Sequence, residues 1–278
     1  MKSTARAAAV LSAAALVMAG CAGGDTGATD DATGSNGVTT IAIGASPVPH
    51  AEILQFVQDE LAADAGIELD IREFTDYVLP NTALAEGEID ANFFQHLPYF
   101  EAQVEENGFE FDHFPGVHIE PYGLYSQKVE SVEDIPTGGV IGITNDPGNQ
   151  GRALDLLVEA GLIELAETDG DPTLLDIADN PKDLEFVETA PEQLVVSLQD
   201  VDAAIINGNY ALEAGLNPAK DAIVLESGED SPYANFVAFR SQDAGNEALA
   251  TLDELLRSDE VRAFIEERWP DGEIIPAF

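Results

Sequence analysis

Apolar side chains along this chain come in short runs whose period switches between that of a strand and that of a helix. Residues 38–43, rich in β-branched side chains, predict a buried strand. Over residues 50–65, Ile53, Leu54, Val57 and Leu61 share one helical face, and residues 67–74 then alternate with a period of two. The same switching predicts helices over 79–85, 98–107, 149–160, 191–198, 247–256 and 259–268. It predicts strands over 89–94, 139–144, 184–187, 203–207, 221–225 and 233–240, with 117–126 as one extended segment. Strands alternating with helices imply an α/β fold around mostly parallel sheets. Two strands, at Thr40 and Val140, each run through a small-residue loop into a helix, which predicts two lobes with a sheet apiece. Such sheets bind ligands at the carboxyl ends of their strands.

The N-terminus has another character. Lys2 and Arg6 precede an uncharged run from Ala7 to Ala22. A basic start, an apolar middle and small residues before a cut describe a secretory signal peptide over residues 1–20. The run is shorter than the roughly 20 residues a membrane span needs. It closes on Leu16-Val17-Met18-Ala19-Gly20-Cys21, and Cys21 is the sole cysteine of the sequence. The arrangement resembles a bacterial lipobox, whose thiol takes a diacylglycerol and, with palmitate-type acyl chains, anchors the mature chain on the extracytoplasmic face of the cell membrane. The plain alternative is a chance cysteine lost with the signal. Residues 22–37 hold no apolar side chain larger than alanine, so residues 21–37 read as a lipidated cysteine on a flexible tether.

Apolar content, 45%, is ordinary for a globular body. Charge is not: 53 acidic residues face 11 basic ones, a net charge of −42. Such a surface repels nucleic acid and anionic lipid headgroups, so no nucleic-acid partner is expected. One cysteine allows no disulfide within the chain.

Four constellations carry candidate chemistry. Ser46, Pro47, Pro49 and His50 join the first strand to its helix, as a pocket wall or as an ordinary capped turn. Tyr77, then Phe94, Gln95, His96 and Tyr99, crowd the end of a short strand. They are either core or an aromatic box for an apolar or thioether side chain, where sulfur–ring contacts contribute about 0.3–1.5 kcal/mol each. Asn149 and Arg152 open a helix. Arginine in a first turn opposes the helix dipole, which favours a clamp on a ligand carboxylate, against the alternative of an exposed arginine paired with surface acids. Asn207 and Asn209 end a buried strand and Asn235 opens another, as ligand-holding amides or as loop turns. Nucleophile elbow, Walker and Gly-x-Gly-x-x-Gly motifs are missing, so neither an enzyme nor a cofactor is expected.

Taken together, GASPVPHAEIL, FTDYVLPNTALAEGEIDANFFQHLPYF, VHIEPYGLYS, ITNDPGNQGRALDLL, DAAIINGNYALEAGLNP and SPYANF resemble the NlpA/MetQ family of methionine-binding lipoproteins that serve ABC importers. The resemblance implies a two-lobe periplasmic-binding-protein fold, type II-like, with two hinge-crossing segments. Residues 38–122 plus 236–278 would form one lobe and 123–235 the other. It implies Tyr77, Phe94, His96 and Tyr99 around the ligand side chain, with His118 near that pocket. It implies Arg152 with Asn149 on the carboxylate, and Asn207 and Asn235 on the polar end. The implied ligand is L-methionine or a close relative, and the implied partners are an ABC permease and its ATPase. Gly148 and Tyr122 depart from the family's usual threonine or serine and methionine. Two alternatives of other classes are a metal-binding lipoprotein using His50, His96 and His118, and a surface adhesin without a small ligand.

Overall fold

Ile41 and Ile43, on a strand of β-branched residues, are almost wholly buried, and burying each such side chain contributes about 1.5–3 kcal/mol. They belong to β1 (Thr39–Ala45), the middle of a parallel trio with β2 (Ile67–Glu73) and β3 (Ala91–His96). The computed structural model describes residues 37–168, 170–229 and 231–278. The signal peptide, Cys21 and the tether up to residue 36 lie outside the described residues. The connecting helices, α1 (Glu52–Glu60) and α2 (Leu79–Glu86), lead to α3 (Leu97–Asn107), and α1 buries Ile53, Leu54 and Val57.

After β4 (Phe111–His113) the chain adds β5 (His118–Ile119) to this sheet, then leaves it through Glu120–Tyr122 to start a second sheet with β6 (Gly123–Tyr125). There β7 (Val140–Thr144) is flanked in parallel by β10 (Glu185–Thr189) and β11 (Ala203–Ile206). The helices are α4 (Pro147–Glu159), α5 (Leu194–Ser197), α6 (Gly208–Glu213) and α7 (Pro218–Asp221). A small antiparallel pair, β8 (Glu164–Leu165) with β9 (Ile177–Asp179), stands apart. β12 (Ala222–Leu225) closes the second sheet against β6. The chain then returns to the first sheet with β13 (Ala234–Arg240), α8 (Glu247–Leu256), α9 (Asp259–Arg268) and β14 (Ile275–Pro276).

The two sheets repeat one plan. Each sets one strand, β1 or β7, at the centre of a parallel trio and adds a reversed strand, β13 beside β3 and β6 beside β11. Each has its own core, one around Ile41, Val57, Phe93, Leu252 and Trp269, the other around Ile141, Leu154, Leu157 and Ile205. The result is the expected two-lobed α/β fold.

Several local expectations need correction. The segment 117–126 is not one strand. Its halves pair in different sheets, with Glu120 and Pro121 in the passage between them. The helix expected over 50–65 opens with a π-helical turn, Pro47–Ala51, in which extended Val48 breaks the spiral, and its α part stops at Glu60. The helix expected from Asn149 begins at Pro147, because the Asp146 side chain accepts the Asn149 N–H at 2.9 Å as an N-cap. Arg152 therefore sits in the second turn, and the dipole conflict inferred for it does not arise. β4, β8, β9 and β14 are too short for sequence periodicity to mark.

Candidate ligand-binding site

The carboxyl ends of β3 and β11, the first turns of α3 and α4, and the passage at Glu120 face one cavity. It is lined by Tyr77, Phe94, Gln95, His96, Tyr99, Glu120, Asn149, Arg152, Asn207, Gly208 and Asn235. The cavity contains about 320 Å³ of space unfilled by atoms, its open mouth included. Of the residues singled out from sequence, Tyr77, Phe94, His96, Tyr99, Asn149, Arg152, Asn207 and Asn235 meet here. His118 does not line it but bonds Glu120, which does.

On the first lobe the wall is aromatic. Tyr77 lies 5.9 Å from Phe94 and 5.7 Å from Tyr99, centroid to centroid, and Phe94 lies 6.0 Å from Tyr99, spacings typical of tilted and edge-on ring packing. The Tyr99 hydroxyl donates to the Tyr77 carbonyl at 2.8 Å, which fixes the loop ahead of α2 against α3. Beneath them Asn81, Asn92 and Gln95 bond one another through their amides at 2.9–3.0 Å. That buried network holds the end of β3 in place.

Lobe two supplies the polar side. Arg152 is buried and donates from Nε and Nη2 to the Glu226 carboxylate, at 2.9 and 2.5 Å, and from Nη2 to the Glu120 carbonyl at 2.8 Å. Its guanidinium stands 4.1 Å from the Tyr233 ring centroid and 4.9 Å from that of Tyr122. Nη1 is left without a hydrogen-bond partner among the described residues. The expected alternative, an exposed arginine paired with surface acids, is thus wrong in its exposure: the pair is internal. Asn207 donates to Asn149 Oδ1 at 3.1 Å and leaves its own Oδ1 buried without a partner.

Contacts between the lobes pass through this cavity. His96 accepts the Tyr99 N–H on Nδ1 at 3.3 Å, so its proton sits on Nε2 and is donated to Asn149 Oδ1 at 3.0 Å. Burial, with the Arg152 charge second, lowers the His96 pKa to about 3. Tyr77 donates its hydroxyl to Asn209 Oδ1 at 2.6 Å. Close approach needs glycine twice. A Cβ on Gly148 would lie 2.6 Å from Tyr99 Cα, and one on Gly208 would lie 2.9 Å from Glu120 Cβ.

Glu120 is the functional candidate that sequence reasoning missed. Its side chain accepts from His118 Nε2 at 2.9 Å and from the Asn209 N–H at 3.0 Å. His50 Nε2 stands 3.1 Å from it while bonding Asn235 Oδ1 at 3.1 Å. Burial lowers His50 to about 4 and His118 to about 3, and raises the Glu120 carboxyl. One signal was available: Glu120 is the lone acid in the apolar run 117–125, though 53 acids in the chain hid it. The metal alternative is corrected as well. His50 and His118 do converge, but with Glu120, while His96 is engaged with Asn149. Their Nε2 atoms already face the carboxylate within hydrogen-bond distance.

The profile of the NlpA lipoprotein family matches residues 41–278. A Bacillus subtilis relative, methionine-binding lipoprotein MetQ, is 41% identical over 266 residues, 94% of this chain and 93% of that protein. A nutrient-binding protein of Burkholderia cenocepacia, solved bound to methionine, has a TM-score of 0.82 at 42% identity, covering 86% of this chain and 100% of that one. A periplasmic substrate-binding protein of an ABC transporter from Coxiella burnetii gives 0.81 at 41% identity, covering 85% and 100%. These names describe binding proteins and no reaction.

Proposed function

Because the chain belongs to the NlpA lipoprotein family, we propose that it is a non-catalytic, lipid-anchored binding protein that captures methionine, or a close amino-acid relative, between its lobes. The observation that carries this reading is one cavity in which an arginine with its Nη1 amino group open faces a wall of three aromatic rings. That pairing suits a zwitterion with an apolar tail. Arg152 Nη1 takes the carboxylate, with Asn149 beside it. Asn207 and Asn235 offer amides to the polar end, Asn207 with an acceptor to spare. Tyr77, Phe94 and Tyr99 surround the side chain, where a thioether gains about 0.3–1.5 kcal/mol per ring contact.

The lobes are taken as 38–122 plus 236–278 and 123–235. They exchange chain at Glu120–Tyr122 and again between β12 and β13, so the two passages act as a hinge. A ligand touching both lobes biases closure by its better contacts in the closed state. Delivery would be to an ABC permease and its ATPase, and Cys21 would hold the protein to the outer face of the membrane. A Cys21→Ser chain should then leave the membrane fraction.

The test is thermal unfolding with a panel of amino acids, run with and without a chelator. Methionine at a hundredfold excess over Kd should stabilise the chain by about 2.7 kcal/mol, unchanged by chelator, with glutamate and lysine inert. No shift with methionine would sink the reading, and a shift abolished by chelator would restore the metal alternative.

A further inference from the structure

Among the described residues two charged side chains line the cavity, Arg152 and Glu120, and the protein treats them in opposite ways. The charge on Arg152 is already spent. Glu226 engages it through two nitrogens, inside the protein, with side-chain exposures of 4% and 15%. A ligand carboxylate arriving at Nη1 meets a guanidinium that is neutralised in advance.

Glu120 has no such partner. Its hydrogen-bond donors are an imidazole and a backbone N–H, with the His50 ring alongside. Both rings are neutral by geometry as well as by burial. His50 Nδ1 and His118 Nδ1 are buried without partners. A neutral ring leaves there only an unused lone pair, whereas an imidazolium would leave a charged N–H unbonded, the costlier outcome. The Glu120 side chain is 8% exposed, so water does little to solvate it. Asn207 Oδ1, also a cavity-lining group, is a buried acceptor with nothing to accept from among the described residues. The deficit in the cavity is therefore one of positive charge with hydrogen-bond donors.

Resting on the amino-acid reading above, we propose that this cavity recognises its ligand chiefly through the α-ammonium, with Glu120 as the counter-charge and Asn207 Oδ1 as a second acceptor. The site then selects α-ammonium compounds over α-hydroxy acids bearing the same side chain. The carboxylate is a positioning handle of smaller weight. Burial, which raises the Glu120 carboxyl, adds to the pull, because an ammonium relieves what burial disfavours.

The experiment is calorimetric titration at about pH 6, below the usual α-amino range of roughly 7.7–8.0. The probes are methionine, its α-hydroxy analogue and its α-carboxamide. Removing one member of a buried charge pair should make the hydroxy analogue weaker than methionine on the order of a hundredfold, and the carboxamide weaker by only about tenfold. Glu120→Gln should narrow the methionine-to-hydroxy gap to about tenfold or less, and Glu226→Gln, which frees the arginine, should widen the methionine-to-carboxamide gap. A carboxamide that binds more weakly than the hydroxy analogue overturns the proposal, and this ranking needs no variant. So does a Glu120→Gln chain that melts like the wild type yet keeps the full gap. If the wild type binds none of the three, the amino-acid reading itself fails, and the ranking does not arise.

Discussion

The two lobes are built on one plan and do different work. Each centres a parallel trio on one strand, β1 or β7. The first lobe brings rings: Tyr77, Phe94, His96 and Tyr99, backed by a buried amide network. The second brings Arg152, Asn149 and Asn207, held by Glu226 and by the cap at Asp146. Identical architecture thus leaves side-chain recognition and polar recognition to opposite walls. Neither wall alone holds a zwitterion with an apolar tail, which makes closure part of recognition.

The comparison is broken hardest from the polar side. Arg152→Ala removes the only cation lining the cavity among the described residues and strands Glu226, most of whose side chain is shielded from water. A loss of about 3–5 kcal/mol in folding stability is expected for breaking a buried pair, together with weaker methionine binding. Denaturant unfolding and titration calorimetry measure the two separately, and unchanged binding would show that lobe two does not grip the ligand. Next comes Gly148→Ala, which places a methyl group against Tyr99 where the lobes meet. Overpacking there should weaken ligand binding by about 1–3 kcal/mol, while the ligand-free melting temperature stays near that of the wild type, because neither core is touched. Equal losses in both would locate the damage in folding instead of closure.

A third test uses the pH dependence of the His96–Asn149 link. The His96 pKa is lowered in the fold to about 3 from an ordinary 6.5, so between those values the unfolded chain binds the proton and the folded one does not. Its contribution to stability is therefore complete above pH 6.5 and is lost as pH falls toward 3, by about 1.4 kcal/mol per pH unit. His96→Gln should flatten the acid limb of a melting-temperature profile by that one group. An unchanged limb would mean that the acid sensitivity resides in His50 and His118.

Much of this division was legible in the sequence, for definite reasons. Strand-to-helix alternation located both sheets because their strands are long and apolar enough to show a period. Tyr77, Phe94, His96, Asn149, Arg152 and Asn207 stood out because aromatic, imidazole, amide or scarce basic groups ended predicted strands or opened helices. The exchange between sheets did not show. The run from Val117 to Tyr125 is interrupted only by His118 and Glu120, and which sheet each half joins is decided by partners distant in sequence. Glu120 was missed for the same cause. A buried acid differs from a surface acid only by its surroundings, and in so acidic a chain composition gives no contrast. Arg152 was found, but its partner Glu226 lies 74 residues away and no local rule connects them.

The return of the chain to its first sheet also sets an order of assembly. β13 lies between β3 and β5, and β14 caps the edge of β5, so the first lobe's sheet is unfinished until residues 234–276 exist. All strands of the second sheet fall between Gly123 and Leu225. As the chain emerges N-terminus first, the lobe that begins earliest closes last, and the polar wall of the cleft is ready before the aromatic wall it faces.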